Sequence, residues 1–490
     1  MSDRDDYFAR VVPLLGQGLS EAVVSIEQVP LVARVVELLA SCMLRKVVVH
    51  DPGAATEWPV PELFGLAASG SAPESALSAL KRHLAWKNGF AAMEWLREGR
   101  GQIHLRGRSI DPGRSPHVQW DESQRTVTLN LVRGDRWSHQ NVTCAVARQV
   151  RDILLGRCPW PRGTVHHGSR FWPFSESAAP AAPPEQRVIA LTGAHVMVVG
   201  VGSVGSEVVR LLDGQVGRWT LVDGATVTVF NPYRQWFGTD EIGRRKVEAL
   251  ASRLGASRVR AVPDRVVGAS IRLLEELIDA SRPHAVLLAT GTSDDARIAR
   301  ILRRRRIPHV AAYAYPQARF FEITVVDEGT PCLHCYRGNL FRGLESVTPI
   351  PDETASFLYR QPHEGQREEL YRNLVAEPAT AIDTGRIADV AAMCVGELLA
   401  PPADRSGWFR RMLESGTTCL LGGNVVEDRG EGETAYGLTY PGQVVRLGVG
   451  DIAGTEDRQV CSACGLSLEV SHRYELPGTD DAAVDAALLE

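Results

Sequence analysis

The chain has 490 residues, enough for two to four domains at about 150 residues each. Hydrophobic residues make up 44% and charged residues 23%, which excludes wholesale disorder, and the formal net charge of -5 excludes a nucleic-acid binder driven by bulk positive charge. No apolar run reaches the roughly 18 residues that a membrane span needs, and the charged opening Met-Ser-Asp-Arg-Asp-Asp has no apolar signal core. The expectation is a cytoplasmic protein that binds neither nucleic acid nor membrane. Only four of the 54 basic residues are lysines: Lys46, Lys81, Lys87 and Lys246. The nine cysteines, in a chain with that expected location, suggest metal ligands or reactive thiols before disulfides.

In chain order, Tyr7-Phe-Ala-Arg10 opens a short amphipathic helix. Ala22–Ile26 is an apolar strand, Val35–Leu39 lies on a helix, and Lys46–Asp51 is a second strand ending in an acidic residue. Ser175 to Pro184, rich in Ala and Pro, is a linker. Beyond it the β-branched run His195–Val199 leads into Gly200-Val-Gly202-Ser-Val-Gly205, a helix over Val208–Val216 and the strand Trp219–Asp223. Ala285–Ala289 is a third buried strand, and Arg319–Val326 alternates as a fourth. This is a doubly wound α/β unit. Laying Ala22 on His195 brings the first segment onto the second as a faint repeat. Glu27, Val29 and Val32 then stand where the second copy has Gly200, Gly202 and Gly205, so the first copy reads as one that kept the fold and lost the nucleotide site.

The glycines allow a tight turn and close approach of a phosphate to the backbone at a helix N-terminus. Asp223, 18 residues past Gly205, has the spacing of a carboxylate that binds ribose hydroxyls. These features fit NAD, FAD or ATP alike. The next segment separates them, because Asn231, Arg234, Gln235 and Lys246 follow closely. Two cations there suit neutralisation of a transferring phosphoryl group and its pyrophosphate leaving group, which hydride transfer does not require.

Together the glycine loop, the strand-end Asp, Asn231-Pro-Tyr-Arg234-Gln235 and Gly243-Arg-Arg-Lys246-Val-Glu resemble the ThiF, molybdopterin-synthase adenylyltransferase and ubiquitin-activating-enzyme superfamily over roughly residues 188–335. The resemblance implies ATP on Gly200, Gly202 and Gly205, its ribose on Asp223, and its phosphates on Asn231, Arg234, Gln235 and Lys246. It implies Mg2+ on an aspartate of Thr290-Gly-Thr-Ser-Asp294-Asp295. The spacing to Arg300 favours Asp295 and the residue order favours Asp294. It also implies that Arg10 reaches the nucleotide of a partner subunit or partner domain. Arg10, Arg234, Lys246 and Asp294 are thus the expected catalytic residues. The implied substrate is a ubiquitin-like or sulfur-carrier protein, with a conjugating-enzyme-like thiol as acceptor. Adenylation of a precursor peptide in natural-product biosynthesis and a non-catalytic nucleotide-binding scaffold are the alternatives.

The pairs Cys332-Leu-His-Cys335 and Cys461-Ser-Ala-Cys464 supply four soft ligands for tetrahedral Zn2+. The bacterial members of the superfamily carry the same two knuckles around a structural zinc. Residues 336–384 contain no cysteine, where activating enzymes that form thioesters carry theirs. Cys158 and Cys419 are the remaining candidates, in loop-like or strand-edge sequence, whereas Cys42, Cys144 and Cys394 lie in apolar helical contexts.

The expected organisation is an inactive adenylation-like domain (1–170), a linker (171–187) and an active adenylation core (188–335). A crossover segment (336–385), a C-terminal helix and strands that close the zinc site (386–476) and an acidic tail (477–490) follow. The assembly is either a homodimer or a pseudo-dimer within one chain.

Overall fold

The computed structural model describes residues 19–27, 29–50, 76–87, 93–96, 98–111, 117–132, 136–157, 160, 164–166, 191, 193–264, 271–291, 294–315, 318, 320–336, 379–423, 444–447 and 461. Arg10, Cys158, Cys464, the linker, the acidic tail and nearly all of the crossover segment lie outside them.

The N-terminal half contains β1 (Val23–Glu27), α1 (Val29–Ala40), β2 (Lys46–Val49), α2 (Ala76–Lys87), β3 (Glu94–Leu96), β4 (Ile103–Ile110), β5 (His117–Asp121), β6 (Thr126–Val132), α3 (Arg136–Leu154) and β7 (Thr164–His166). Its sheet has the order β3-β2-β1-β4-β6-β5-β7, parallel from β3 to β6 and antiparallel beyond. The C-terminal half contains β8 (His195–Val199), α4 (Ser203–Leu212), β9 (Arg218–Val222), α5 (Lys246–Leu254), β10 (Val259–Val262), α6 (Ile271–Ser281), β11 (Ala285–Leu288), α7 (Asp294–Arg304), β12 (His309–Ala314) and β13 (Phe320–Val326). After a helical turn at Leu333–Tyr336 come α8 (Ala381–Leu399), α9 (Gly407–Glu414), β14 (Cys419–Gly423) and β15 (Val444–Leu447). The second sheet runs β10-β9-β8-β11-β12-β13-β14-β15, parallel as far as β12 and antiparallel after it. All five side chains of β8 and all four of β11 are buried, as strands covered on both faces should be.

Both sheets therefore contain four parallel strands in the order third, second, first, fourth. The registers agree as well, with Val23 opposite Lys46 in one half and His195 opposite Arg218 in the other. Structurally it is Val23, not Ala22, that corresponds to His195. Glu27 is consequently the last residue of β1, not part of the turn. Its carboxylate lies 2.9 Å from Arg106 Nε and 3.3 Å from His104 Nε2.

The halves share a seam. Helix α8 opens at Ala381, five residues inside the stretch expected to be crossover, capped by Thr380, whose hydroxyl and Asp383 bond reciprocally. It packs against α4 and β12 on one side and α3 on the other. Tyr233 and Ile382, although late in sequence, belong to the hydrophobic core of the N-terminal half. Arg34 of α1 is ion-paired with Glu207 of α4, and Arg148 and Arg151 of α3 approach Asp383 at 3.7 and 3.6 Å. Among the described residues no helix is long and apolar enough to cross a membrane.

Candidate active site

The chain leaves β8 toward β9 on one side and returns through β11 on the other, so a crevice opens beyond the carboxyl end of β8. Gly200 turns the chain there with φ +90°, and a Cβ on it would lie 2.5 Å from the Ala289 carbonyl oxygen. A Cβ on Gly205 would lie 1.9 Å from the Gly200 carbonyl oxygen. Those two glycines are required by the packing of the protein itself. Gly202 is different, because nothing stands within 4 Å of a Cβ there. It caps the N-terminus of α4, where unpaired amides and the helix dipole face an open space fit for an anionic group.

Asp223 follows β9 and joins the loop from the other side. Its Oδ2 accepts the Val201 amide at 2.9 Å and its Oδ1 the Ala225 amide at 2.8 Å. Each oxygen keeps a second lone pair for a ligand hydroxyl. The chain then folds back on itself, with Val227 donating to Arg244 and Gly243 to Val227, both at 2.8 Å. This return places Lys246, the first residue of α5, beside Ala225, whose carbonyl accepts the Lys246 amide at 3.1 Å. Ala225 and Lys246 are thus brought together across 21 positions of sequence.

Between them lies the turn of Asn231 to Gln235. Asn231 Oδ1 accepts the Thr228 amide at 2.8 Å, while its main-chain carbonyl accepts the amides of Arg234 and Gln235. The Asn231 side-chain oxygen therefore shapes the turn, leaving its amide as the group for a ligand. Asn231, Arg234 and Gln235 are all buried. Ser206 of α4 ties the turn to the glycine loop: its hydroxyl bonds the Gly202 carbonyl at 2.6 Å and accepts the Trp236 amide at 3.1 Å.

Beyond β11, Thr290 Oγ1 donates to Asp295 Oδ1 at 2.7 Å. Asp294 and Asp295 both sit in the first turn of α7, buried, and Asp294 lies 3.4 Å from Arg297. Thr290 is close to the glycine loop, since its amide is among the atoms nearest a Cβ on Gly200. Either carboxylate suits a hard divalent cation beside phosphates.

The cysteines form a second centre. Cys332 Sγ lies 3.7 Å from Cys335 Sγ and 3.9 Å from Cys461 Sγ, with all three buried and every sulfur within 4.8 Å of the others. Tetrahedral zinc with bonds of about 2.3 Å requires sulfurs about 3.8 Å apart, so the donor set fits. Cys419 departs from its expected setting. It is fully buried in β14 between β13 and β15, because its strand is internal to the sheet. A thiol there cannot carry a protein thioester without opening the sheet. Burial also pushes the Cys42 thiol up to about 11, and holds those of Cys144 and Cys394 far above the ordinary thiol range. No described cysteine is exposed.

The sequence reading missed what the N-terminal half brings to this site. Lys87, the last residue of α2, donates its ammonium to the Gln235 carbonyl, and Thr239 Oγ1 donates to the Trp86 carbonyl at 3.3 Å. Arg34, Glu37, Lys87, Glu207, Tyr233 and Arg234 line a cavity with room for about one water. The one sequence signal that marks Lys87 is the rarity of lysine in this chain, which it shares with Lys246.

The ThiF family model matches residues 175–400. No curated protein matches the chain. Among solved structures, a crystal structure of Escherichia coli MccB is 17% identical over 59% of this chain and 70% of its own, with a TM-score of 0.39. Its crystal structure with MccA-N7isoASN is 17% identical over 44% of this chain and 59% of its own, with a TM-score of 0.32. The structure with ATP gives 16% over 44% and 58%, with the same TM-score. The chain thus spans less than two thirds of the length of these ligand-bound relatives. The match over 175–400 takes in the glycine loop, Asp223, the Asn231–Gln235 turn, Lys246 and both α7 aspartates, and identifies residues 175–400 as a ThiF family domain.

Proposed function

We propose that the protein is an ATP-dependent adenylyltransferase that activates the C-terminal carboxylate of a ubiquitin-like or sulfur-carrier protein. The carboxylate oxygen attacks the α-phosphorus, the bond to the β,γ-pyrophosphate breaks, and an acyl-adenylate forms. The α4 N-terminus at Gly202 receives phosphate, Asp223 accepts the ribose hydroxyls, and Lys246 with Arg234 balances the charge that builds on the phosphoryl oxygens and on pyrophosphate. Gln235 and the amide of Asn231 complete the phosphate contacts. Magnesium, on Asp294 or Asp295, supplies Lewis-acid neutralisation of the same phosphates. Zinc on Cys332, Cys335, Cys461 and Cys464 is structural and ties residue 461 back to the end of the core.

The observation that carries this reading is the contrast among the glycines. Gly200 and Gly205 answer the protein's own packing, whereas the open space at Gly202 answers a ligand. The N-terminal half we read as an inactive copy in an intrachain pseudo-dimer. Support comes from the shared strand order and register. Arg10 then belongs to that half and acts on the transferring phosphate of the other. A second substrate class, a precursor peptide, is favoured by one observation: residues 336–384 hold no cysteine and every described cysteine is buried, so among the described residues an acyl-adenylate has no evident thiol to meet.

ATP–pyrophosphate exchange dependent on an added carrier protein or peptide tests the reading. A wild-type protein that binds NAD but not ATP, or that binds ATP without exchange in the presence of its co-transcribed neighbour, would refute it.

A further inference from the structure

We propose that Lys87, in the half without the glycine loop, is a positioning residue for the Asn231–Gln235 turn. Its ammonium grips the Gln235 main-chain carbonyl and so fixes the backbone from which Arg234 and Gln235 project into the phosphate site. The assignment rests on the adenylation reading for what the turn binds, but not for the geometry.

Three observations converge. Lys87 is buried at the very end of α2, where a cation also complements the helix dipole. Among the described residues the carbonyl it holds accepts one main-chain donor, the Phe237 amide at 2.8 Å, and the ammonium supplies a second, charge-assisted bond. Burial pushes the Lys87 ammonium down to about 8, with the cations of Arg34 and Arg253 adding to the fall and the carboxylates of Glu37 on α1 and Glu207 on α4 opposing it, so the ammonium is still the main form at pH 7.

The docking of α2 does not depend on this bond. The Trp86 ring occupies the space over Gly238, where a Cβ would lie 1.7 Å from the indole nitrogen. The Arg253 guanidinium lies 4.5 Å from that ring and 4.7 Å from the Trp236 ring, and donates to the Trp236 carbonyl. Removing the Lys87 ammonium should therefore loosen the turn and leave the helix in place.

The test uses full-length wild-type protein, Lys87→Met, which keeps an apolar stem without a donor, and Lys87→Arg, which keeps donor and charge. Amide hydrogen exchange is followed without ligand, and ATP–pyrophosphate exchange with it. Lys87→Met should speed amide exchange at residues 234–237 by about tenfold or more while α2 and β1 stay protected. It should raise KM for ATP by a similar factor with a smaller change in kcat. Lys87→Arg should recover most of both. Unchanged amide exchange at 234–237, or loss of protection across the whole N-terminal half, would overturn the proposal. If the wild type catalyses no pyrophosphate exchange, the adenylation reading fails while the amide-exchange result still decides the role of Lys87.

Discussion

Substituting alanine at Gly202 and at Gly205 should separate ligand binding from folding. At Gly202 the added methyl meets nothing within 4 Å. As N-cap of α4, alanine is worse than glycine by about 0.5–1 kcal/mol, while the reduced freedom of the unfolded chain returns about 0.4–1 kcal/mol. The two effects nearly cancel, so the melting temperature should move by no more than about 4 °C. A phosphate seated on the α4 N-terminus would be pushed off at least one amide. Charge-assisted hydrogen bonds are worth about 1.5–3 kcal/mol, which weakens ATP binding about tenfold to a hundredfold. At Gly205 the methyl would sit 1.9 Å from the Gly200 carbonyl oxygen, and α4 must shift away from the loop. Overpacking of this kind costs about 1–3 kcal/mol, so stability and binding should fall together. Calorimetric titration with ATP and thermal melts of both variants provide the measurements. A Gly202→Ala protein that binds ATP within about twofold of wild type would refute the placement of phosphate at this loop.

Elemental analysis of protein never exposed to chelator should find one zinc per chain, and Cys461→Ser should lower thermal stability more than it lowers ATP affinity; protein free of zinc at full stability would rule the centre out. Both carboxylate oxygens of Asp389 are buried without a hydrogen-bond partner among the described residues, and burial, only partly offset by Arg386, pushes its pKa up to about 7. Because the folded value lies above the unfolded one, near 3.8, its contribution is complete below that value and is lost as pH rises through 7. Asp389→Asn should thus gain stability on wild type between pH 5 and pH 8, by a few kcal/mol at the upper end, and parallel stability–pH curves would contradict this. Arg10→Ala should reduce the pyrophosphate-exchange rate by up to about 10³-fold with little change in ATP affinity, while Arg4→Ala should not; equal mild effects would leave Arg10 without a part in the chemistry.

The C-terminal half was legible because its signals are local. An apolar pentad, a glycine turn and a strand leading to Asp223 each declare themselves within a few residues, and β8 and β9 appear within one residue of that pattern. Helix α4, in contrast, starts at Ser203, directly after the glycine turn, and ends at Leu212, four residues before the end of the expected stretch Val208–Val216. The first half was legible less sharply. Its apolar residues fix the strand and helix but not the phase of the alignment, and the register of β1 on β2 places Val23 on His195, one residue from the sequence estimate. That single step moves Glu27 out of the turn and onto the strand. Asn231 illustrates another limit. Sequence presents an amide next to two cations, and only geometry reveals that its oxygen is bonded to the chain at Thr228. The seam was invisible for a further reason. Lys87 and Gln235 are 148 positions apart, and Arg34 and Glu207 are 173 apart, whereas periodicity reports only which face of an element is covered.

The seam explains why a half without a glycine loop would be retained. Helix α4 carries the open N-terminus at Gly202 and, five residues on, Glu207, which Arg34 of α1 and Arg210 both contact. These charges are buried, and a buried pair left with one member is destabilising by about 3–5 kcal/mol. Arg34 is itself held by Glu37 at 2.7 Å, and Glu37 lies 3.2 Å from His83 of α2, so the anchoring passes from the glycine-loop helix through two helices of the other half. The turn bearing Arg234 is held from the same direction, by Lys87 and by the Tyr233 ring sunk in the N-terminal core. The glycine-loop helix and the turn bearing Arg234, the elements proposed to hold a polyphosphate, are thus both tied to the half outside the sheet that carries them. Phosphoryl transfer depends on fixed charges at fixed places, and a mobile loop loses its advantage through reorganisation. A domain that binds no nucleotide can supply that rigidity as well as one that does.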